Sequence, residues 1–161
     1  MKTHTLILRL AIPLLIAFCL SVPTHIVLAS GTSTADLKVL AEGGNPMSQR
    51  ILGERLAMGT EGVTKDMSQA IFWWQKAADQ GDAVAQYNLG QVYFKGARVQ
   101  QDLVQAHMWF SLAASSSKET ISAQQRKKLA ESIRKSAEAN MTPKQIEEAQ
   151  ALAQEWLAKH P

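Results

Sequence analysis

Shifting the chain against itself by 36 or 37 residues superposes like on like. Leu52-Gly53 falls on Leu89-Gly90 and Gly59 on Gly96; after one extra residue, Gly62, Val63 falls on Val99 and Asp66 on Asp102. Ala70 then meets Ala106, Trp73 meets Trp109, Ala77-Ala78 meets Ala113-Ala114, and Gly44 meets Gly81. Chance rarely keeps Gly, Asp, Trp and Ala-Ala in one order. A repeat of this length restricts the fold more than composition can. One such unit cannot bury its own apolar face and becomes stable only when stacked on a neighbour.

Each unit reads as two helices. Ala85, Leu89, Val92 and Tyr93 follow the i, i+4, i+7, i+8 spacing of one buried helical face. Asp82 stands before this helix and Asn45-Pro46 before its counterpart, as an N-cap and a proline in the first turn should. The second helices open with Asp66-Met-Ser-Gln69 and Asp102-Leu-Val-Gln105, two Asp-x-x-Gln sequences expected to form reciprocal capping boxes. Gly44, Gly59, Gly81 and Gly96 fall where helices end. Gly53 and Gly90 lie inside helices, at a cost of about 1 kcal/mol each relative to Ala. Their place in both copies implies a partner helix packed on bare backbone. The fold class expected is all-α, an α-solenoid of antiparallel helix pairs.

This pattern resembles the Sel1-like repeat family, relatives of the tetratricopeptide repeats. The likeness is carried by Ala85-x3-Leu89-Gly90-x2-Tyr93-x2-Gly96, then Val99, Asp102, Ala106, Trp109 and Ala113-Ala114. In the first unit it is carried by Leu52-Gly53, Gly59, Gly62-Val63, Asp66, Ala70, Trp73 and Lys76-Ala77-Ala78-x2-Gly81. Ser48, Ile51 and Leu56 depart from the family's small and aromatic residues, and Ala97-Arg98-Val99 departs from its Gly-Val step. The flanks read as caps. Ser33 to Glu42 aligns with a second helix, placing Leu37, Leu40 and Ala41 where Trp74, Ala77 and Ala78 sit. After Ser115-Ser116-Ser117, a helix from Ile121 to about Ala139 is expected to bury Leu129, Ile133, Ala137 and Met141. A last helix starts at Thr142-Pro143 and is expected to bury Ile146, Ala149, Ala153, Trp156 and Leu157. The segment from Met141 to Trp156 looks like the closing segment of many exported members of the family. The expected organisation is a signal peptide over 1–29, a capping half-repeat over 30–44, repeats over 45–81 and 82–117, and C-terminal capping helices over 118–161.

The N-terminus carries Lys2 and Arg9 without an acid, then a charge-free run from Leu10 to Leu20, then Val27-Leu28-Ala29 before Ser30. That is the layout of a cleaved secretory signal. A spanning helix needs roughly 20 apolar residues, and this run is shorter and holds Pro13. The product is expected to be periplasmic or secreted, with no membrane attachment after cleavage. Cys19, the one cysteine, leaves with the signal, so thiol chemistry and disulfides are excluded from the mature chain. The whole chain has 17 Lys+Arg against 14 Asp+Glu; without Lys2 and Arg9 the excess falls to +1. Lys127-Lys128 is read as the one basic doublet, so nucleic acid is not expected as a partner.

No catalytic, cofactor or metal site is expected. There is no His-Glu-x-x-His motif and no zinc spacing, and the glycines mark helix ends rather than a phosphate loop. His107, one step off the Ala106–Trp109 stripe, reads as a structural or surface residue. Ser115 to Ser117 reads as a polar linker. Trp73, Trp109 and Trp156 read as core, and Trp74, turned about 100° from Trp73, is the least determined. The remaining stripe lies on the other side of each first helix. Tyr87, Gln91, Phe94 and Lys95 in the second unit, with Arg50 and Glu54 in the first, are expected to face a concave groove that holds a peptide or protein partner. The resemblance implies a non-catalytic interaction scaffold or adaptor of the bacterial cell envelope, a regulator of peptidoglycan enzymes being a narrower form of that role. It also brings in an enzyme reading, because cysteine-rich exported relatives are linked to β-lactam binding or hydrolysis. This chain lacks their disulfides and is read as having no Ser-x-x-Lys arrangement.

Overall fold

A computed structural model describes residues 33–96, 98–115 and 121–160. The segment read as a signal peptide lies outside the described residues. Among those described there are seven helices and no strand: α1 (Thr34–Glu42), α2 (Pro46–Met58), α3 (Met67–Asp79), α4 (Ala83–Lys95), α5 (Leu103–Ser115), α6 (Ile121–Glu138) and α7 (Pro143–Lys159). Helices α2 and α3 form repeat 1, and α4 and α5 form repeat 2. α1 packs on α2, and α6 and α7 both pack on α5. The architecture is the all-α solenoid of stacked helix pairs.

The contact that sets each pair is a ring lying on a glycine. A Cβ built at Gly53 would stand 2.6 Å from both Cδ1 and Nε1 of Trp74. One built at Gly90 would stand 2.8 to 3.0 Å from three ring carbons of Phe110. Trp74 and Phe110 each follow the repeat tryptophan by one residue, so the two contacts are the same contact in successive repeats. The tryptophans before them face elsewhere. Trp73 packs with Leu37, Ala41 and Leu52, and Trp109 joins Ala78, Ala85, Leu89 and Leu112 in the main core. A second repeated contact was not anticipated from the sequence. Gln49 and Gln86 are both buried, and each Nε2 donates to the carbonyl of the preceding second helix, Ala41 at 3.0 Å and Ala78 at 3.3 Å. A buried amide with a partner of this kind ties one repeat to the next.

Helix ends follow the sequence with one systematic difference. Asn45 accepts from Ser48 N at 2.9 Å, and Asp82 accepts from Val84 N and Ala85 N. Asp66 and Asp102 accept from Gln69 N and Gln105 N, but the reciprocal half of the expected boxes is replaced. Asp66 N donates to Leu56 O at 2.8 Å, and Asp102 N to Tyr93 O at 3.0 Å. The loop brings each aspartate's N–H back to the preceding helix, and that carbonyl takes the place of the glutamine. A complete capping box forms instead at Thr142 and Gln145, where no neighbouring carbonyl competes for the Thr142 N–H.

Three apolar residues expected inside lie outside. Leu40 is 37% exposed although its counterpart Ala77 is fully buried. α1 is a half-repeat with no described first helix of its own to cover that side. In α6, Leu129 is 49% exposed, while Ala130 and Ala137 are buried and Ile133 packs on the same side. A stripe spaced by fours drifts about 40° around a helix at every step. Leu129, Ile133, Ala137 and Met141 therefore cannot all share one face. In α7, Ala149 and Ala153 are buried, Ile146 and Trp156 are half-buried, and Leu157 is exposed. Trp156 reaches α5 through an edge-on contact with Trp109 at 6.3 Å.

The departure from the family's Gly-Val step has a backbone consequence. Arg98 stands before Val99 as Gly62 stands before Val63, and both are left-handed, at φ +68° and +78°. An L-residue with a Cβ pays about 1–2 kcal/mol for that conformation, part of which glycine returns as chain entropy. Arg98→Gly should therefore raise the stability of the protein by about 0.5–1 kcal/mol, read as a higher urea midpoint with an unchanged slope.

Candidate functional site

Helices α2 and α4 are joined through α3 rather than packed on each other, and a groove runs where α3 meets α4. Its open part is a depression of about 340 Å³ lined by Met67 and Trp74 of α3 and by Asn88, Gln91, Val92 and Lys95 of α4. Asn88, Gln91 and Lys95 are spaced i, i+3, i+7, so they form one wall of a single helix face. Met67, Trp74 and Val92 supply the apolar part. Trp74 is 6% exposed. Its indole N–H, pressed on Gly53, has no hydrogen-bond partner among the described residues.

The six residues proposed from the sequence separate into three groups. Gln91 and Lys95 line the depression. Arg50 and Glu54 form an ion pair at 2.8 Å on α2, and Arg50 Nε reaches Asp82 Oδ2 at 3.4 Å. This rung joins the two first helices near the start of α4 and engages both charges within the protein. Tyr87 and Phe94 turn toward Phe110, at ring-centre distances of 5.6 and 6.4 Å and near-perpendicular angles. They pack there with Ala130, Ile133 and Ala114. Tyr87 is tied back to the wall, since Gln91 Nε2 donates to its hydroxyl at 2.6 Å. Four lining residues, Met67, Trp74, Asn88 and Val92, were not proposed. Asn88 was findable, because it lies one turn before Gln91 on the same face. Trp74 was not, because its ring reaches the groove only by crossing over Gly53.

The chemical inventory of the chain is wider in two places. The doublet Lys127-Lys128 extends back to Arg126, and Arg134-Lys135 follows on the same helix. α6 is thus more basic than the doublet alone suggests, with Glu131 and Glu138 interspersed. Ser-x-x-Lys spacings also occur, at Ser115–Lys118 and Ser132–Lys135. Ser132 and Lys135 are exposed on the surface of α6. Ser115 donates to Leu112 O at 2.8 Å, and Lys118 lies outside the described residues.

His107 is fully buried. Its Nε2 lies 2.7 Å from Glu138 Oε1, and its Nδ1 lies 3.5 Å from Ser111 Oγ. The residue types suggest a charge relay, but the bonding does not supply one. Ser111 gives its proton to the carbonyl of His107 at 2.8 Å, an i to i−4 bond within α5, so the hydroxyl is not primed by the imidazole. The histidine instead fastens α6 to α5. Among the described residues, no group of three His, Cys, Asp or Glu is placed to hold a metal ion. No helix there is long and apolar enough to cross a membrane.

Comparison with known proteins agrees with this geometry. The Sel1 repeat family matches residues 46–82 and 83–117. A protective antigen present in uropathogenic Escherichia coli strains, displaying an SLR fold, is 32% identical over 79% of this chain with a TM-score of 0.65. This chain spans 25% of that protein's length. A Sel1 repeat protein from Oxalobacter formigenes is 27% identical over 76% of this chain and 97% of its own, with a TM-score of 0.50. Among curated proteins, none matches the chain.

The fastening of α6 can be measured. Glu138→Ala removes the acceptor of a buried imidazole N–H and should cost about 1–3 kcal/mol of stability. Ser111→Ala, which removes only a hydroxyl bonded to its own helix, should stay within about 0.5 kcal/mol of the parent. Paired urea titrations of the two variants check both values.

Proposed function

We propose that this protein, a solenoid built on two Sel1 repeats, is a non-catalytic docking protein of the bacterial cell envelope that holds a peptide segment of a partner along α4, over the depression it forms with α3. Sel1 repeats generally mediate protein–protein interaction. The observation that carries the reading is the wall of α4. Asn88 and Lys95 make no hydrogen bond or ion pair among the described residues, and Gln91 uses only its Nε2, on Tyr87. These three polar groups stand beside an apolar floor. Amides that can bond an extended main chain, next to a surface that can take a side chain, are the parts of a peptide site. The short groove favours modest affinity. Export follows in this reading from the segment 1–29, and the cysteine-free chain after it suits a compartment where stray thiols would be oxidised.

Asn88→Ala with Lys95→Glu changes the wall without touching the core, so stability should stay within about 0.5 kcal/mol of the parent. Affinity capture from the envelope fraction of cells producing each form should recover a partner with the parent and lose it with the double variant. Recovery of the same partner by both would remove the groove from the account. A product found in the cytosol with residues 1–29 attached would remove the envelope.

A further inference from the structure

The two repeats carry the same ring-on-glycine contact and finish it differently. In repeat 2, Phe110 on Gly90 is enclosed by the chain itself. Tyr87 and Phe94 lie edge-on to it, Ala130 and Ile133 pack beside them, and Phe110 is fully buried. In repeat 1, Trp74 lies on Gly53 in the same way. The residues at the positions of Tyr87 and Phe94 are here Arg50 and Ala57. Arg50 is drawn to Glu54 and Asp82. Ala57 packs at the edge of the cluster that contains Trp74, Val92 and Met67 and brings no ring to it. Repeat 1 thus brings no α2 ring to Trp74, which lines the depression with Met67 and the wall of α4.

We infer that the repeat 1 groove takes an aromatic side chain of a partner peptide, seated edge-on against Trp74 as Phe94 is seated against Phe110, with an adjacent acidic side chain held by Lys95. This rests on the docking role proposed above and names the occupant of the same groove. The volume, about 340 Å³, lies at the small end of ligand pockets, roughly 300–1,000 Å³, which suits one side chain with the main chain that carries it. Edge-to-face packing of two rings is the preferred geometry of aromatic pairs, and the protein already uses it twice on Phe110. Charge selects the neighbour of the ring. Lys95 is exposed and enters no ion pair among the described residues, and no acid is among the residues that line the depression. A carboxylate beside the ring meets an unpaired cation, and a basic neighbour is repelled.

The test uses the exported protein labelled with ¹⁵N and the peptide acetyl-Gly-Phe-Asp-Gly-amide, followed by NMR. The expected result is saturable movement of the Trp74 indole N–H and of the Asn88, Gln91 and Lys95 amides. Replacing the peptide's Phe by Ala should weaken binding by about tenfold or more, and replacing its Asp by Asn by about threefold, in the sense that affinity ratios measure lost contacts. Ala57→Phe places in repeat 1 the ring that repeat 2 has, and should abolish binding while the protein stays folded. Lys95→Glu, a surface change that cannot unfold the core, should erase the preference for Asp over Asn. Equal binding of the Phe and Ala peptides, unchanged binding by Ala57→Phe, or peptide shifts that bypass Trp74 would each overturn the inference. If Ala57→Phe loses the natural partner in capture while the aromatic peptide does not bind, docking in the groove stands and the aromatic occupant is wrong. If the peptide binds at Trp74 but Ala57→Phe retains the natural partner, the occupant class stands and the docking role does not.

Discussion

A ring can press against the backbone of a helix only where that helix has no side chain, and the fold is organised around two such places. At Gly53 and Gly90 the α-carbon of a first helix is the surface on which Trp74 and Phe110 rest. Everything else in a repeat is arranged by that contact. It sets the closeness of the two helices in a pair and turns the preceding residues, Trp73 and Trp109, into other clusters. The penalty of a mid-helix glycine, about 1 kcal/mol, is offset by burying an aromatic side chain that no alanine would admit.

The surroundings of the ring distinguish the repeats. In repeat 2 the chain covers Phe110 with Tyr87, Phe94 and the apolar face of α6, so the contact is part of the core. In repeat 1 the equivalent positions are a charged residue and an alanine. Arg50 spans to Asp82 and helps hold the first helices in register, and no α2 ring packs beside the depression that Trp74 lines. A stack that is regular in its backbone thus becomes irregular on its surface through two substitutions at equivalent positions. The candidate site is this irregularity.

Much of the fold was legible because the same signals occur twice. Glycines at helix ends, aspartates before second helices and the Leu-Gly pair could each be checked against their own copy. What was not legible depended on neighbours. The Asp66 and Asp102 N–H groups were assigned to glutamines because the sequence holds no sign that the loop returns them to Leu56 and Tyr93. Gln49 and Gln86 look like surface amides until the preceding helix end is placed over them. Leu129 was drawn inward by a four-residue spacing that the helical pitch does not sustain. For the groove, the stripe read from the sequence on α4 is wide enough to contain two faces. Gln91 and Lys95 lie on the open one, Tyr87 and Phe94 on the closed one. Only the position of α6 tells them apart.

The most direct test of the ring-on-glycine account is a double-mutant cycle at Gly90 and Phe110, read by urea unfolding. If the ring is what an added Cβ meets, Gly90→Ala should cost stability with Phe110 present and cost little or nothing in Phe110→Leu. The coupling between the two sites would then be about 1 kcal/mol or more. Effects that add to within about 0.3–0.5 kcal/mol would contradict the account, since the glycine would then be answering to something other than the ring.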